Sequence, residues 1–260
     1  MPYYFKCPPE KKIRIIAIMA SGHKLSDLFA AAHYVMTPGF EVKALIGGSC
    51  QRVVELMDES GCCEVVSDTS KGPEDFVIRG AEYLVKEALR EDGRPIYVCV
   101  WGNLNLIPAA YAMEPEIAEK ITVIWMDDGE SVDSVVRDTL IPFWVIPASA
   151  CQKVRVTMAQ LYQRVRPYGM AGKFLYDQAV HFNTDNSLNY AQGESVVLEA
   201  QAAIAVLTAP HDYACEYKAA GSRSVRVYNT VDNRFLLEDF FAKLALREPS
   251  LKKVKGGDGI

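Results

Sequence analysis

Two polar stretches of this chain carry side chains that could do chemistry. In the first, Ser21, His23, Ser26 and Asp27 lie within seven residues of one another. A His/Ser/Asp set could support nucleophilic catalysis, although no nucleophile-elbow motif accompanies it. The alternative is a polar loop in which Asp27 only offsets the dipole of the following helix.

The second stretch is acidic. Asp127 and Asp128 follow an apolar run, and Glu130 comes two residues later. Such carboxylates could bind a metal or act as acid and base; a solvated turn with a helix-capping aspartate is the simpler interpretation. Trp101 ends another apolar run and Trp125 lies near the end of the run before Asp127, and both could stack on a base or ring, or only fill space.

Apolar runs that alternate with helical patterns place both stretches at one edge of a sheet. The predicted strands are residues 13–19, 40–46, 62–66, 96–101, 121–126, 142–147 and 224–228. The predicted helices are residues 27–36, 51–60, 73–90, 106–119, 157–165, 170–183, 194–208 and 232–246. This alternation predicts an α/β fold with a mostly parallel sheet and flanking helices. Ligands of such folds bind at the carboxyl edge.

Composition narrows the class of protein. The chain has 260 residues, half of them hydrophobic, which suits a single domain over residues 1–250 followed by a flexible tail at 251–260. A net charge of -5 argues against a nucleic-acid partner. No apolar run is long enough to span a bilayer, which argues against a membrane role. Seven cysteines without metal-type pairing predict reduced thiols and a cytoplasmic location.

Four segments resemble the nucleoside hydrolases. The sequence TPGFEVKALI at residues 37–46 is similar to the family's motif after its first helix, and residues 94–106 are similar to its strand and G-P-L-T-N-L turn. The longest match is AMEPEIAEKITVIWM at residues 112–126, and residues 231–235 resemble the start of the final helix. The resemblance implies a Rossmann-like nucleoside hydrolase fold, in a divergent and shortened member.

The same resemblance implies a calcium site that this chain has largely lost. The family holds calcium with an aspartate-rich loop and uses one aspartate to activate water. Only Asp27 remains in that loop, where Ala20, Gly22 and Ser26 stand in place of acids. Calcium needs roughly six to eight oxygen ligands. We therefore expect no calcium and no other cofactor.

The resemblance also assigns candidate contacts for a small ligand. Asn103 and Asn105 fall in the family's turn, where Asn105 would supply a backbone carbonyl. Ser49 falls near a ribose-contacting position, and His181 lies in a helix where relatives carry polar residues. No Glu-Phe-Asn ribose loop remains between residues 126 and 142.

The last family aspartate has two possible positions in this chain. In the family it stands at the start of a C-terminal helix. If that helix begins near residue 193, Ala200 takes its place; if the pair at residues 211–212 is the family's His-Asp, Asp212 remains as a residual ligand beside Asp27. The first alignment is favoured.

Three functions are compatible with these observations. The first is a non-catalytic or ligand-binding subunit that has lost N-ribosyl hydrolysis. The second is a repurposed enzyme that acts on a small glycoside-like metabolite through His23, Asp127 or Asp128. The third is a weak nucleoside hydrolase. If the chain is active, the resemblance implies a hydrolase.

Loss of the active-site loops predicts exposed apolar surface at Trp101, Trp125, Phe143 and Trp144. Exposed patches of this kind mark interfaces. We therefore expect an oligomer, formed either with a second copy of the chain or with a full-length nucleoside hydrolase relative.

Overall fold

The computed structural model describes residues 5–19, 25–47, 50–57, 63–66, 73–126, 133–186, 192–210, 213–220 and 223–247. The strands are β1 (Ile13–Ile18), β2 (Phe40–Ile46), β3 (Glu64–Val66), β4 (Ile96–Trp101), β5 (Ile121–Met126), β6 (Phe143–Ile146), β7 (Arg155–Thr157), β8 (Ser195–Val197), β9 (Glu216–Ala220) and β10 (Arg223–Val227). The helices are α1 (Leu25–Met36), α2 (Gln51–Met57), α3 (Pro73–Ala88), α4 (Leu106–Met113), α5 (Asp133–Asp138), α6 (Ala148–Cys151), α7 (Met158–Arg164), α8 (Gly169–Asn186), α9 (Ala202–Thr208) and α10 (Asn233–Arg247). Short 3₁₀ turns lie at Pro9–Lys11, Pro115–Glu119, Gln192–Glu194 and Glu199–Gln201.

Eight strands form the main sheet in the order β3-β2-β1-β4-β5-β6-β10-β9. All neighbours are parallel except β9, which runs antiparallel to β10 at one end. The first six strands therefore follow the order of doubly wound dinucleotide-binding folds. The mostly parallel α/β sheet predicted from the sequence is confirmed.

The central strands are apolar along most of their length because helices cover both faces of the sheet. In β1, five of six residues are buried. Ile15 and Ala17 face a cluster that includes α1, α8, α9 and α10, whereas Ile16 and Ile18 face α3 and α4. The sheet is therefore the middle layer of three, and polar residues can gather at the amino ends and at the carboxyl ends of its strands.

A buried ion-pair network closes the amino edge of the sheet. Arg14 on β1 and Glu87 on α3 are each 2% exposed, and Arg14 Nη2 donates to Glu87 Oε1 at 3.0 Å. Arg14 Nη1 also donates to the backbone oxygen of Arg94 at 2.9 Å. Glu87 contacts Lys43 at 3.4 Å and Arg90 at 2.9 Å. This network joins β1, β2 and α3 at the edge opposite to the expected ligand site.

Two predictions about the elements were wrong in the C-terminal half. The helix predicted for residues 194–208 is instead β8, a 3₁₀ turn and the short helix α9. The β-branched pair within β8 makes an antiparallel ladder with β7, and this pairing outweighs the helical pattern of the sequence. The edge strand β9 was not predicted, because its Glu-Tyr-Lys-Ala-Ala sequence has no apolar alternation.

Candidate functional site

A crevice is expected between the carboxyl ends of β1 and β4. From β1 the chain proceeds outward to β2 and β3, and then returns to β4 on the other side of β1. Such a reversal of strand order is the point at which open α/β sheets bind ligands. Asp27 in the first turn of α1 and Asn103 after β4 come from the two elements that flank this point.

The backbone around this crevice is tightly packed. Gly47, which follows β2, has a φ of 85°, and a Cβ atom there would lie 2.8 Å from the backbone oxygen of Met19. Glycine is required because only it adopts this conformation without strain and leaves that space free. The close approach fixes the ends of β1 and β2 against each other beneath the site.

Asp27 is buried, with 1% of its surface exposed. The Cys50 thiol donates to the backbone oxygen of Asp27 at 3.7 Å. Burial raises the pKa of Cys50, and the nearby Asp27 carboxylate raises it further. Cys50 is fully buried, and its raised pKa favours the neutral thiol.

Ser26 and Ala200 are in direct contact. The backbone N–H of Ala200 donates to Ser26 Oγ at 3.2 Å, and the two residues are 4% and 1% exposed. They stand at the two positions where the resemblance implies calcium-binding carboxylates, in the favoured alignment. A hydroxyl and a backbone amide thus form a hydrogen bond at positions where the resemblance implies metal ligands. Sequence reasoning had no signal for this bond.

The described donors do not fit a family-type calcium ion. Among the residues that the structure describes, no group of three or more His, Cys, Asp or Glu side chains could hold a metal. In the favoured alignment, Asp27 alone of the implied ligand positions has a carboxylate, and residues 20–24 contain none in the sequence; Asp212, the ligand in the other alignment, lies outside the described residues. Calcium takes about six to eight oxygen ligands, commonly including several carboxylates.

Asn103 and Asn105 form the turn that follows β4. Asn103 Oδ1 accepts from the Asn105 N–H at 2.6 Å, and Gly102 before it has a φ of 89°. The carbonyl of Asn105 accepts from the Ala109 N–H at 3.4 Å, at the start of α4. Both side chains are exposed. The turn is well defined, and it presents two amides at the carboxyl edge.

The two tryptophans lie on opposite faces of the sheet. Trp101 is 7% exposed and packs in the cluster beneath α1, whereas Trp125 is 1% exposed and packs on the side of α3 and α4. Trp125 Nε1 donates to the backbone oxygen of Gly102 at 3.1 Å. This bond holds the turn after β4 in place. Trp125 therefore acts on the site through that turn.

The predicted exposed aromatic patch was wrong. Trp101, Trp125 and Phe143 are buried because the helices on both faces of the sheet cover them. Trp144 is half-buried and lies under the Arg226 guanidinium, which is 4.8 Å from its ring centre. These residues belong to the core and offer no apolar interface.

For the remaining candidates the site role stays a prediction. His181 is exposed on α8, and Asn183, two positions later, donates to the backbone oxygen of Gly193 at 2.8 Å. Six candidates lie outside the described residues and stay sequence predictions: Ser21, His23, Ser49, Asp127, Asp128 and Asp212.

A second buried polar group lies behind the site and was not predicted. His33 on α1 is fully buried, and its Nε2 lies 2.9 Å from Asp239 Oδ2 on α10. Lys243 contacts Asp239 and donates to Thr37 Oγ1 at 2.9 Å. Burial lowers the pKa of His33, which outweighs the opposing effect of Asp239. This group fastens α1, the helix that carries Ser26 and Asp27, to α10.

Comparison with solved structures identifies the fold. A plant nucleoside hydrolase superposes with a TM-score of 0.69 at 13% identity, covering 91% of this chain and 99% of that chain. The chain has the nucleoside hydrolase fold. The inosine-uridine preferring nucleoside hydrolase from Bacillus anthracis gives a TM-score of 0.63 at 15% identity, covering 90% and 99% of the two chains.

The same fold is found in an effector protein. The type III effector XopQ in complex with adenosine diphosphate ribose gives a TM-score of 0.61 at 13% identity, covering 91% of this chain and 95% of that chain. No family model matches this chain, and no curated protein matches it. Within the described residues, no helix combines the length and hydropathy needed to cross a membrane.

Proposed function

We propose that this nucleoside-hydrolase-fold protein has lost calcium-dependent N-ribosyl hydrolysis and serves as a non-catalytic, ligand-binding subunit. The observation that carries the proposal is the bond between Ser26 Oγ and the Ala200 N–H at 3.2 Å. Two neutral groups satisfy each other at positions where the resemblance implies carboxylates. Without a bound metal, nothing in this set lowers the pKa of an attacking water.

Retention of the rest of the fold supports a binding role. The turn at Asn103 and Asn105 and the close contact of Gly47 with Met19 fix the described ends of β1, β2 and β4 at the carboxyl edge. XopQ has the same fold and was crystallised with adenosine diphosphate ribose. A ribose-containing nucleotide is therefore the ligand class to test first.

The decisive experiment measures turnover of inosine and uridine in calcium and in EDTA. We expect no hydrolysis above background in either condition, and no difference between the wild-type protein and Asp27→Ala. Calcium-stimulated turnover that Asp27→Ala abolishes would overturn the proposal and identify a true hydrolase.

Calorimetry with adenosine diphosphate ribose and with inosine tests the binding role. We expect binding without turnover, weakened by Asn103→Ala and unaffected by the exposed-site control Lys86→Ala. If neither compound binds and neither is hydrolysed, the ligand-binding part of the proposal fails, while the loss of hydrolysis still stands on the first experiment.

A further inference from the structure

The strand β9 forms an open end of the main sheet. It pairs with β10 on one side only, and no strand among the described residues pairs with its other side. Residues 214–219 are all exposed, and Tyr217 is 65% exposed. The outward backbone groups of an edge strand are a template for pairing with another strand.

Two of the usual devices that blunt such an edge, a proline and a β-bulge, are absent from β9. The five residues Glu216–Ala220 include no proline, and their register with β10 continues without a shift from Glu216 to Ala220. A regular ladder on the inner side keeps the outer side straight enough to pair. Lys218 is the one lysine on this strand, and lysine is a common edge-protecting residue.

The charges of β9 are complementary to themselves in a single antiparallel register. We consider a twofold axis perpendicular to the sheet. Side chains that lie directly opposite each other then share a face only if one residue pairs with its own copy, and the axis passes beside that residue. An axis at Tyr217 places Glu216 opposite Lys218 of the partner subunit, and Lys218 opposite the partner subunit's Glu216. An axis at Lys218 would oppose two lysines, and an axis at Glu216 would oppose two glutamates.

The side chains of β9 are already held in positions that suit this register. Glu216 Oε1 accepts from Asn229 Nδ2 at 2.7 Å, and Glu216 Oε2 lies 3.7 Å from Lys218 on the same face of the strand. On the other face, Tyr217 OH accepts from Arg226 Nη2 at 3.0 Å. Less side-chain freedom is then lost when two such strands meet.

We propose that β9 is the interface of a homodimer in which two copies pair antiparallel about an axis at Tyr217, which joins two eight-stranded sheets into one. The interface is isologous, so each favourable charge pair occurs twice. The proposal rests on β9 alone. It is independent of the loss of hydrolysis and of the aromatic residues at the carboxyl edge.

Sedimentation velocity and multi-angle light scattering test the assembly, with the chain mass of 28.9 kDa as the reference. We expect a concentration-dependent dimer for the wild type. Lys218→Glu converts two attractions into two repulsions and should raise the dissociation constant by roughly tenfold to a hundredfold. Glu216→Lys should act likewise, and the double variant Glu216→Lys/Lys218→Glu should restore the dimer.

Lys86→Glu is the matched control, because Lys86 is exposed on α3, which packs beside α4 far from β9 along the sheet. This control should leave the dimer unchanged. A wild type that stays monomeric up to about 100 µM, a concentration at which even a weak specific interface associates, would overturn the proposal. So would a dimer that tolerates Lys218→Glu, or a double variant that remains dissociated.

A cysteine crosslink tests the register. In a Cys215→Ser background, Tyr217→Cys places two thiols across the axis, where antiparallel strands hold opposite Cα atoms about 4.5–5.5 Å apart. We expect a disulfide-linked dimer on mild oxidation, and its loss when Lys218→Glu is added. Absence of the crosslink in a protein that still dimerises would show that another surface forms the interface.

Discussion

The replacement of Ser26 by alanine is the sharpest perturbation of the candidate site. Ser26 Oγ is the acceptor for the Ala200 N–H, and both residues are buried. Ser26→Ala leaves this N–H without that acceptor and out of contact with water. A buried donor left unsatisfied costs about 1–3 kcal/mol, so the free energy of unfolding should fall by that amount.

Urea denaturation followed by tryptophan fluorescence measures this loss, since the three tryptophans lie in strands and are at least half-buried. Ser149→Ala is the matched control, because Ser149 is exposed in the short helix α6 and its replacement should change stability by no more than about 0.5 kcal/mol. The m-value should stay constant in both variants.

The measurement is repeated in calcium and in EDTA. If the Ser26–Ala200 contact is purely structural, the loss is the same in both solutions. A native-state metal present at a hundred times its dissociation constant would add about 2.7 kcal/mol to the wild type. A loss below about 0.5 kcal/mol would refute the energetic argument, and a loss seen only in calcium would make Ser26 a metal ligand.

Three further predictions concern groups elsewhere in the chain. Glu87→Gln removes the nearest carboxylate from buried Arg14 and leaves Asp92, at 3.5 Å, as its remaining acidic partner, so the free energy of unfolding in urea should fall by about 3 kcal/mol, the low end for a broken buried pair. Arg14→Met/Glu87→Leu should recover much of that loss, and strictly additive losses would contradict this. Burial lowers the pKa of His33 below 6.5, so the unfolded chain binds the proton at higher pH than the folded chain, and the stability that His33 contributes above pH 6.5 is lost as the pH falls towards the lowered pKa. Denaturation between roughly pH 8 and about pH 5.5 should show this slope, and His33→Gln should flatten it; an equal slope in the variant would assign the effect to another group. The exposed thiol of Cys215 should react with Ellman's reagent in the native protein, whereas Cys50 should react only on unfolding, and rapid labelling of Cys50 would disprove its burial.

The fold was largely predictable because its signals are local and strong. The bounds of β2, β4 and β5 agree with the prediction to the residue. The strands β4 and β5 are almost wholly apolar, whereas β2 alternates apolar with charged residues before an apolar end, and both patterns are strong strand signals. The segment 194–208 was not predictable, because the pairing of β8 with β7 depends on residues 40 positions away. The same holds for β9, because its own sequence lacks apolar alternation and its strand conformation depends on pairing with β10.

The site was less predictable than the fold. The loss of carboxylates at Ala20, Gly22 and Ser26 can be read from the sequence, but the Ser26–Ala200 bond joins residues 174 positions apart. The burial of Trp101 and Trp125 depends equally on helices packed from distant parts of the chain. Tertiary contacts of this kind decide whether a polar or aromatic residue serves a ligand or the core.

The buried contact at Ser26 makes the recovery of metal binding energetically unfavourable. A mutation from Ser26 to aspartate would place a second carboxylate beside Asp27 in a region with almost no exposure to water. Repulsion and desolvation of two buried carboxylates cost free energy unless a metal ion binds between them. Under the proposed loss of hydrolysis, a single substitution towards an aspartate cage would therefore lower stability before it restored metal binding. Recovery of calcium-dependent hydrolysis would then require several substitutions together.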